Sequence, residues 1–174
     1  MEYVVIVDQK NRVLGLQEKQ LAHQQGMLHR ALSVCLFDER GRWLLQRRAS
    51  HKYHSPGKWA NSCCSHPRLC EDPIDAAHRR VFEELGLKVP LSFCKTFLYR
   101  EEVGGGLCEH EFDYLFRGRV SLDKELLLNP DEVSEIGYFT TEEIENLLRE
   151  KPDFFAPWFV HVFQHMKPLL PSPS

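Results

Sequence analysis

The chain has 174 residues, of which 43% are hydrophobic and 27% charged, with a formal net charge of −3 and a pI near 6.3. That length suits one domain of ordinary size, and that composition supports a packed core and excludes an intrinsically disordered chain. The slight acidic excess argues against a general nucleic-acid or membrane-surface binder, which would carry a basic excess, but it leaves room for a local cationic pocket.

The N-terminus, Met1 to Asp8, has no basic lead-in, and its apolar run from Tyr3 to Val7 is only five residues long. The sequence therefore predicts no signal peptide, no bilayer span and a cytoplasmic protein. The six cysteines, Cys35, Cys63, Cys64, Cys70, Cys94 and Cys108, are then expected to be reduced. They form no paired CxxC motifs, which weakens a zinc-ribbon reading, and most are read as small core residues. Residues 3–7 read as a strand, with a turn near Lys10-Asn11 and a return through Val13–Leu16. Residues 31–37 form another strand candidate, Asp38 to Gly41 a turn, and Trp43 to Gln46 the start of the return strand. A loop with Ser55-Pro56-Gly57 follows.

The clearest helix runs from about Pro73 to Leu85. Asp72 can cap it, Pro73 suits its first position, and Gly86 suits its stop. Ile74, Ala77, Val81 and Leu85 make its apolar stripe, and Arg80 and Glu84 lie beside that stripe, where they can face a cleft. Residues 92–100 and 108–117 resemble two strands joined through Gly104-Gly105-Gly106, and Glu135–Phe139 is a weaker strand. Thr140 and Glu143 form a capping-box pattern. A C-terminal helix is expected from Pro157 to about Met166, and the proline-rich tail from Pro168 to Ser174 is expected to be loose. The sum is an α/β sandwich of the α+β type, with a mixed, mostly antiparallel sheet and helices outside. No internal repeat or low-complexity tract interrupts it.

Three short patterns can carry chemistry. In the strand around residue 112, Phe112, Tyr114 and Phe116 share one face while Glu109, Glu111 and Asp113 share the other. Like charges two residues apart repel unless something cationic sits between them; a solvated acidic face is one reading and a metal site the other. Cys64 and His66 are also two apart, in an extended-looking segment, with Cys63 and Ser65 pointing the opposite way. His23 and His29 are six apart, the wrong spacing for one helical face, so a metal shared by both requires a loop-like or bent segment. Three histidines plus paired glutamates make a mixed N/O donor set suited to Mn, Fe or Zn.

Residues 71–87 resemble a Nudix box, with Glu71, Arg79 and Glu83-Glu84-Leu85-Gly86-Leu87 at the matching positions. Arg80 stands where Nudix hydrolases usually have a glutamate of the catalytic helix, and Ser65 stands in place of the opening glycine. The same departures resemble the type 1 isopentenyl-diphosphate isomerases. So do Trp59 to Pro67, similar to that family's catalytic-cysteine segment, Glu109-x-Glu111 and Ala156-Pro157-Trp158; Ala60 replaces a threonine often found there. The resemblance covers about Lys19 to Trp158.

It implies a metal site of His23, His29, His66, Glu109 and Glu111 holding Mn²⁺ or Zn²⁺, and Cys64 and Glu111 as the acid/base pair. Glu84 would hold Mg²⁺ on the substrate diphosphate; Lys19, Arg48, Lys52 and Arg80 would handle that diphosphate; Tyr99 and Trp158 would line the reacting end. Alone, Arg47-Arg48 and Lys52 read as a solvated basic face, Cys64 as an inert buried cysteine, and Trp158 as helix packing beside Phe159 and Val162. On this resemblance residues 1–28 form an extension carrying one metal histidine, 29–167 the catalytic domain and 168–174 a tail. The expected partner is a small isoprenyl diphosphate, with no nucleic acid or membrane, and a monomer suits the size. Two alternatives stand beside it: a Nudix hydrolase of a nucleoside diphosphate derivative, and a catalytically silent metal- or diphosphate-binding module.

Overall fold

The computed structural model describes residues 1–171. Strands β1 (Tyr3–Val7) and β2 (Val13–Glu18) form the first hairpin. Asn11 at φ 64° turns the chain, and the Asp8 carboxylate accepts from the Lys10 and Arg12 amides at 2.9 Å each. Helix α1 (Lys19–Gln25) follows, an element the sequence pattern did not announce. Seven residues are too few to establish a period, and its caps are local: Glu18 accepts from the Gln20 and Leu21 amides, and Gly26 closes it at φ 63°.

Strand β3 (His29–Phe37) is the spine of a nine-stranded sheet. It is antiparallel to β1, to β4 (Trp43–Arg48) and to β6 (Cys63–Ser65), and parallel to β8 (Leu107–Arg119). The short β5 (Trp59–Ala60) and β9 (Val133–Phe139) pair with β4, and β7 (Leu91–Gly104) pairs with β8. Among the described residues every strand-to-strand ladder except β3 with β8 is antiparallel, so the sheet is mixed as expected. Gly104, Gly105 and Gly106 all have positive φ at the β7–β8 turn, a conformation that costs glycine little.

Each face of the sheet has its own core. One face carries Leu32, Val34, Leu36, Cys63 and Phe116 against the Ala76, Ala77, Val81 and Leu85 stripe of α2 (Pro73–Leu85). The other carries Cys35, Phe37, Trp43 and Leu115 against Ile144 of α3 (Thr141–Glu150) and Phe159, Val162 and Phe163 of α4 (Phe159–Met166). The result is an α/β/α sandwich. Helix α2 has its expected bounds and caps, and the Thr140–Glu143 capping box is complete. The C-terminal helix starts at Phe159 and not at Pro157, because Pro157 and Trp158 form the turn that enters it. A single 3₁₀ turn, Lys167–Leu169, opens the segment expected to be a loose tail, and Leu170 packs partly against the α3/α4 core. Residues 172–174 lie outside those described. No helix among the described residues is long and apolar enough to cross a membrane.

Candidate active site

The β3 register assembles the site. His29 lies opposite Glu111 on β8, and Ser33 lies opposite Cys64 on β6. Alternation therefore puts His29 and Ser33 on the face shared by Glu111, Asp113 and Cys64. Helix α1 delivers His23 to the same place: the chain leaves the helix through Gly26 and returns at once into β3, which supplies the bend between His23 and His29. The nitrogens of His23, His29 and His66 available to a metal all lie within 4.8 Å of one another. Glu111 Oε2 is 3.7 Å from His29 Nε2 and 3.5 Å from His66 Nε2. The acidic face of β8 is not solvated: Glu109, Glu111 and Asp113 are all buried.

The donor chemistry fits a cation. His29 Nδ1 is 2.8 Å from the Met27 carbonyl, so Nδ1 carries the proton and Nε2 presents a lone pair. The Nε2 atoms of His23 and His29 are buried and have no hydrogen-bond partner. Burial drives the imidazoles toward the neutral form, to about 2 for His23, about 3 for His29 and about 4 for His66. Burial acts oppositely on the carboxyls. Glu109 is pushed well above the carboxylate range, with the charge of Glu111 adding to the effect, and Glu111 is pushed up to about 7. Buried neutral imidazoles beside carboxyls that resist ionisation form a set that a divalent cation would stabilise in the ionised, ligating state.

Tyr99 stands behind the glutamates, off the cleft wall. Its hydroxyl oxygen lies 2.9 Å from Glu109 Oε2 and nearer to Glu111 Oε1; its one proton is donated to Glu111, and its oxygen can accept from a protonated Glu109. It thereby turns Glu111 Oε2 toward the histidines.

Cys64 is held by two neighbours. Its thiol donates to Asn61 Oδ1 at 3.0 Å, and Trp158 Nε1 donates to its sulfur at 3.2 Å. Asn61 is itself fixed by donating to the Val34 and Cys63 carbonyls. Burial keeps the Cys64 thiol well above its ordinary value, so it rests protonated. Cys63 points the other way, toward Glu84 Oε2 at 3.2 Å. Trp158 is 2% exposed and both packs in the α3/α4 core and borders the cleft, with the Arg48 guanidinium 4.9 Å from its ring centre.

A cleft of about 490 Å³ joins these groups to a set of cationic side chains: Cys64, His66, Glu109, Glu111 and Trp158 border it, and so do Lys19, Arg48, Lys52, Arg80 and Glu84. Three of these cations are matched by carboxylates: Lys19 with Glu2 at 2.5 Å, Lys52 with Glu132 at 2.7 Å, and Arg80 with Glu83, Glu84 and Glu132 at 2.5, 3.2 and 3.4 Å; Arg48 instead donates to the His54 carbonyl at 3.1 Å. Among the thirteen residues the sequence nominated, ten border the cleft, while His23, His29 and Tyr99 do not: His29 faces the histidine cluster and Tyr99 holds the two glutamates from behind the wall. The His23 side chain likewise reaches the histidine cluster from α1 and does not form cleft wall.

Several residues at the site escaped the sequence reading. Asn61 lies inside the Trp59–Pro67 segment, and a side-chain amide three residues before Cys64 was the available signal; its burial and its bond to the thiol appear only in the structure. Glu132 bridges Lys52 and Arg80 from the loop before β9, a long-range pairing that spacing does not reveal. Tyr53 and His54 reach the histidine cluster from a loop with no periodicity. The Tyr53 hydroxyl is 2.5 Å from His23 Nδ1, and His54 Nε2 is 3.3 Å from Glu109 Oε1.

Residues 27–161 match the NUDIX domain family. Among curated relatives, the chain is 43% identical over 157 residues to isopentenyl-diphosphate Delta-isomerase 2 of Aromatoleum aromaticum, covering 90% of this chain and 82% of that one. It is 44% identical over 160 residues to the isopentenyl-diphosphate Delta-isomerase of Pectobacterium atrosepticum, covering 92% and 88%. Among solved structures, DR0079 of Deinococcus radiodurans superposes with a TM-score of 0.76 at 16% identity, covering 94% of this chain and 98% of that one. A MutT NUDIX hydrolase from Burkholderia pseudomallei superposes with a TM-score of 0.61 at 16% identity, covering 79% and 97%. At those identities the two structures speak to the fold alone.

Proposed function

The chain belongs to the Nudix family and, within it, to the isopentenyl-diphosphate Delta-isomerases, and on that premise we propose how its residues divide the work. The enzyme interconverts isopentenyl and dimethylallyl diphosphate. Cys64 and Glu111 are the proton carriers, and the observation that carries this assignment is their placement on one sheet face, bordering one cleft.

The reaction adds a proton to one end of an alkene and removes one from an allylic carbon. An unactivated alkene is a weak base, and protonating it gives a tertiary carbocation, so the site must offer an acid, a base and little water. Cys64 rests as a thiol and Glu111 is a carboxyl with a raised proton affinity. One gives a proton to the π bond, the other takes the allylic proton as the new double bond forms, and the pair ends with its proton exchanged. Asn61 and Trp158 aim the Cys64 sulfur, and Tyr99 aims Glu111. The indole face of Trp158 favours a cation over a neutral alkene by about 0.5–2 kcal/mol, which lowers the barrier because the gain appears only when charge develops.

A divalent metal belongs to this reading. His23, His29, His66, Glu109 and Glu111 would hold Mn²⁺ or Zn²⁺, whose charge sets the proton affinity of the Glu111 carboxyl when bound. Lys19, Arg48, Lys52 and Arg80 bind the diphosphate, with Glu84 holding Mg²⁺ against it, and supply orientation remote from the reacting carbons. Residues 1–28 serve as the extension that brings His23, and 29–167 as the catalytic domain. All these residues come from one chain, which supports a monomeric catalytic unit, and a reducing cytoplasm suits a free Cys64 thiol.

Incubation with isopentenyl diphosphate, Mg²⁺ and Mn²⁺ in deuterated water tests the reading. Dimethylallyl diphosphate carrying solvent deuterium is expected. Release of phosphate without isomerisation would instead support hydrolysis, and tight diphosphate binding without turnover would support a silent module.

A further inference from the structure

Lys52, Tyr53 and His54 are consecutive, and each meets a different part of the site. Lys52 pairs with Glu132 at the diphosphate end. Tyr53 meets His23, and His54 stands beside Glu109 with its ring at 87° to that of Trp158, 5.6 Å between centroids. The side chain of His54 is 5% exposed, whereas Tyr53 keeps 42% of its surface.

We propose that Tyr53 is a positioning residue for the metal site, fixing His23 through a hydrogen bond to Nδ1, with His54 backing the Glu109 carboxyl from the same loop. This inference rests on the metal-site reading above. The bond selects a tautomer. His23 Nε2 is the buried, unpartnered nitrogen, so a cation must be met there by a lone pair. The proton then sits on Nδ1, which donates to the Tyr53 oxygen at 2.5 Å. The ring of Tyr53 also stacks on His23 at 23°, 5.9 Å between centroids, and the Lys19 ammonium lies 5.2 Å from the centre of that tyrosine ring. The hydroxyl thus sets which nitrogen is protonated, and the ring sets where the imidazole can turn. His29 receives the equivalent support from a backbone carbonyl, that of Met27. His23 receives it from a side chain, so its support can be removed by substitution.

Tyr53→Phe is a narrow probe because it keeps the ring, its stacking on His23 and its contact with Lys19, and removes only the hydroxyl. The measurement is Zn²⁺ and Mn²⁺ affinity by competition with a chromophoric chelator, on wild type, Tyr53→Phe, His54→Ala and His23→Ala, with the thermal midpoint of each metal-stripped protein as the folding control. Loss of a hydrogen-bonded support for a metal ligand weakens binding by about 10–100-fold. The expected result is a weakening in that range for Tyr53→Phe at an unchanged metal-free midpoint, a weakening for His54→Ala, and recovery of kcat in Tyr53→Phe at saturating metal. Affinity within about twofold of wild type in Tyr53→Phe, with His23→Ala abolishing binding, overturns the inference and leaves the metal site standing. A raised KM for isopentenyl diphosphate that excess metal does not correct also overturns it, because Tyr53 would then act on substrate. A wild type that binds neither metal, or a His23→Ala that binds as well as wild type, overturns the site reading and this inference together.

Discussion

Replacing Glu111 with glutamine is expected to stabilise the metal-stripped protein at pH 8 while removing its activity. Glu111 is buried, and burial pushes it up to about 7 from an ordinary 4.5, with the charge of Asp113 acting in the same direction. A carboxyl with a raised folded value costs nothing below pH 4.5. The cost grows as pH rises and is complete above 7, because the unfolded chain has released its proton while the folded chain still resists doing so. The gap corresponds to about 3 kcal/mol. Glutamine keeps the Oε1 that accepts from Tyr99, and its NH₂ would face the His29 and His66 Nε2 atoms now 3.7 and 3.5 Å from Oε2. The His29 nitrogen carries a lone pair, so the amide would find an acceptor there. Chemical denaturation after chelator treatment, at pH 5 and pH 8, measures the effect. Wild type and Glu111→Gln should be close at pH 5, and the variant more stable by about 1–3 kcal/mol at pH 8. Added Mn²⁺ or Zn²⁺ should narrow or reverse the difference, since the metal stabilises the carboxylate it binds. A variant destabilised equally at both pH values would refute the reasoning, because the buried charge would then not be what limits the metal-free fold.

Cys64→Ala should lower turnover by about 10²–10⁴-fold, read as deuterium incorporation into dimethylallyl diphosphate, with metal affinity and thermal midpoint retained. Full activity would remove Cys64 from the proton-transfer pair. Arg80→Gln should raise KM for isopentenyl diphosphate by about tenfold or more with a smaller change in kcat, since its cation acts on the remote diphosphate in binding and transition state alike. Gly86→Ala should destabilise by at least about 1 kcal/mol in chemical denaturation. Gly86 sits at φ 69°, and an added Cβ would come within 2.7 Å of Leu127 Cβ; activity per folded molecule should be unchanged.

What sequence could and could not convey follows from the range of the forces involved. Helix α2 was legible to the residue because its cap, its first-turn proline, its stripe and its stop glycine are all local and agree with one another. Alternation separated Cys64, on the His66 face, from Cys63, and the structure sends the two thiols to opposite faces, one to Asn61 and one to Glu84. Alternation also put Glu109, Glu111 and Asp113 on one side but could not say whether that side met water or a core, because the answer depends on α4 and the β3 histidine, both distant in sequence. Helix α1 was hidden by its length. Tyr53, His54 and Glu132 were hidden because loop residues carry no period and reach the site through tertiary contacts only.

If Arg80 binds the diphosphate as proposed, its departure from the hydrolase pattern accounts for a hydrolase-type scaffold that holds a diphosphate without the cation cluster needed to cleave it. A carboxylate at that helix position would stand beside Glu83, Glu84 and Glu132 and add a further negative charge, which only bound cations could neutralise. Arginine reverses the balance: its guanidinium pairs with all three, and their charges raise its proton affinity further above the ordinary value even though its burial acts the other way. Glu84 remains shared with Gln46 and Cys63, one carboxylate where a hydrolytic centre would gather several. On the proposed reading the helix would anchor a diphosphate by charge, and the proposed proton carriers stand elsewhere, on β6 and β8. The proposal thus assigns binding and proton transfer to different elements of the same sheet-and-helix frame. In that proposal the diphosphate is held by the cationic side chains of the cleft while the hydrocarbon meets Cys64, Glu111 and the Trp158 indole, all of which border the same cleft.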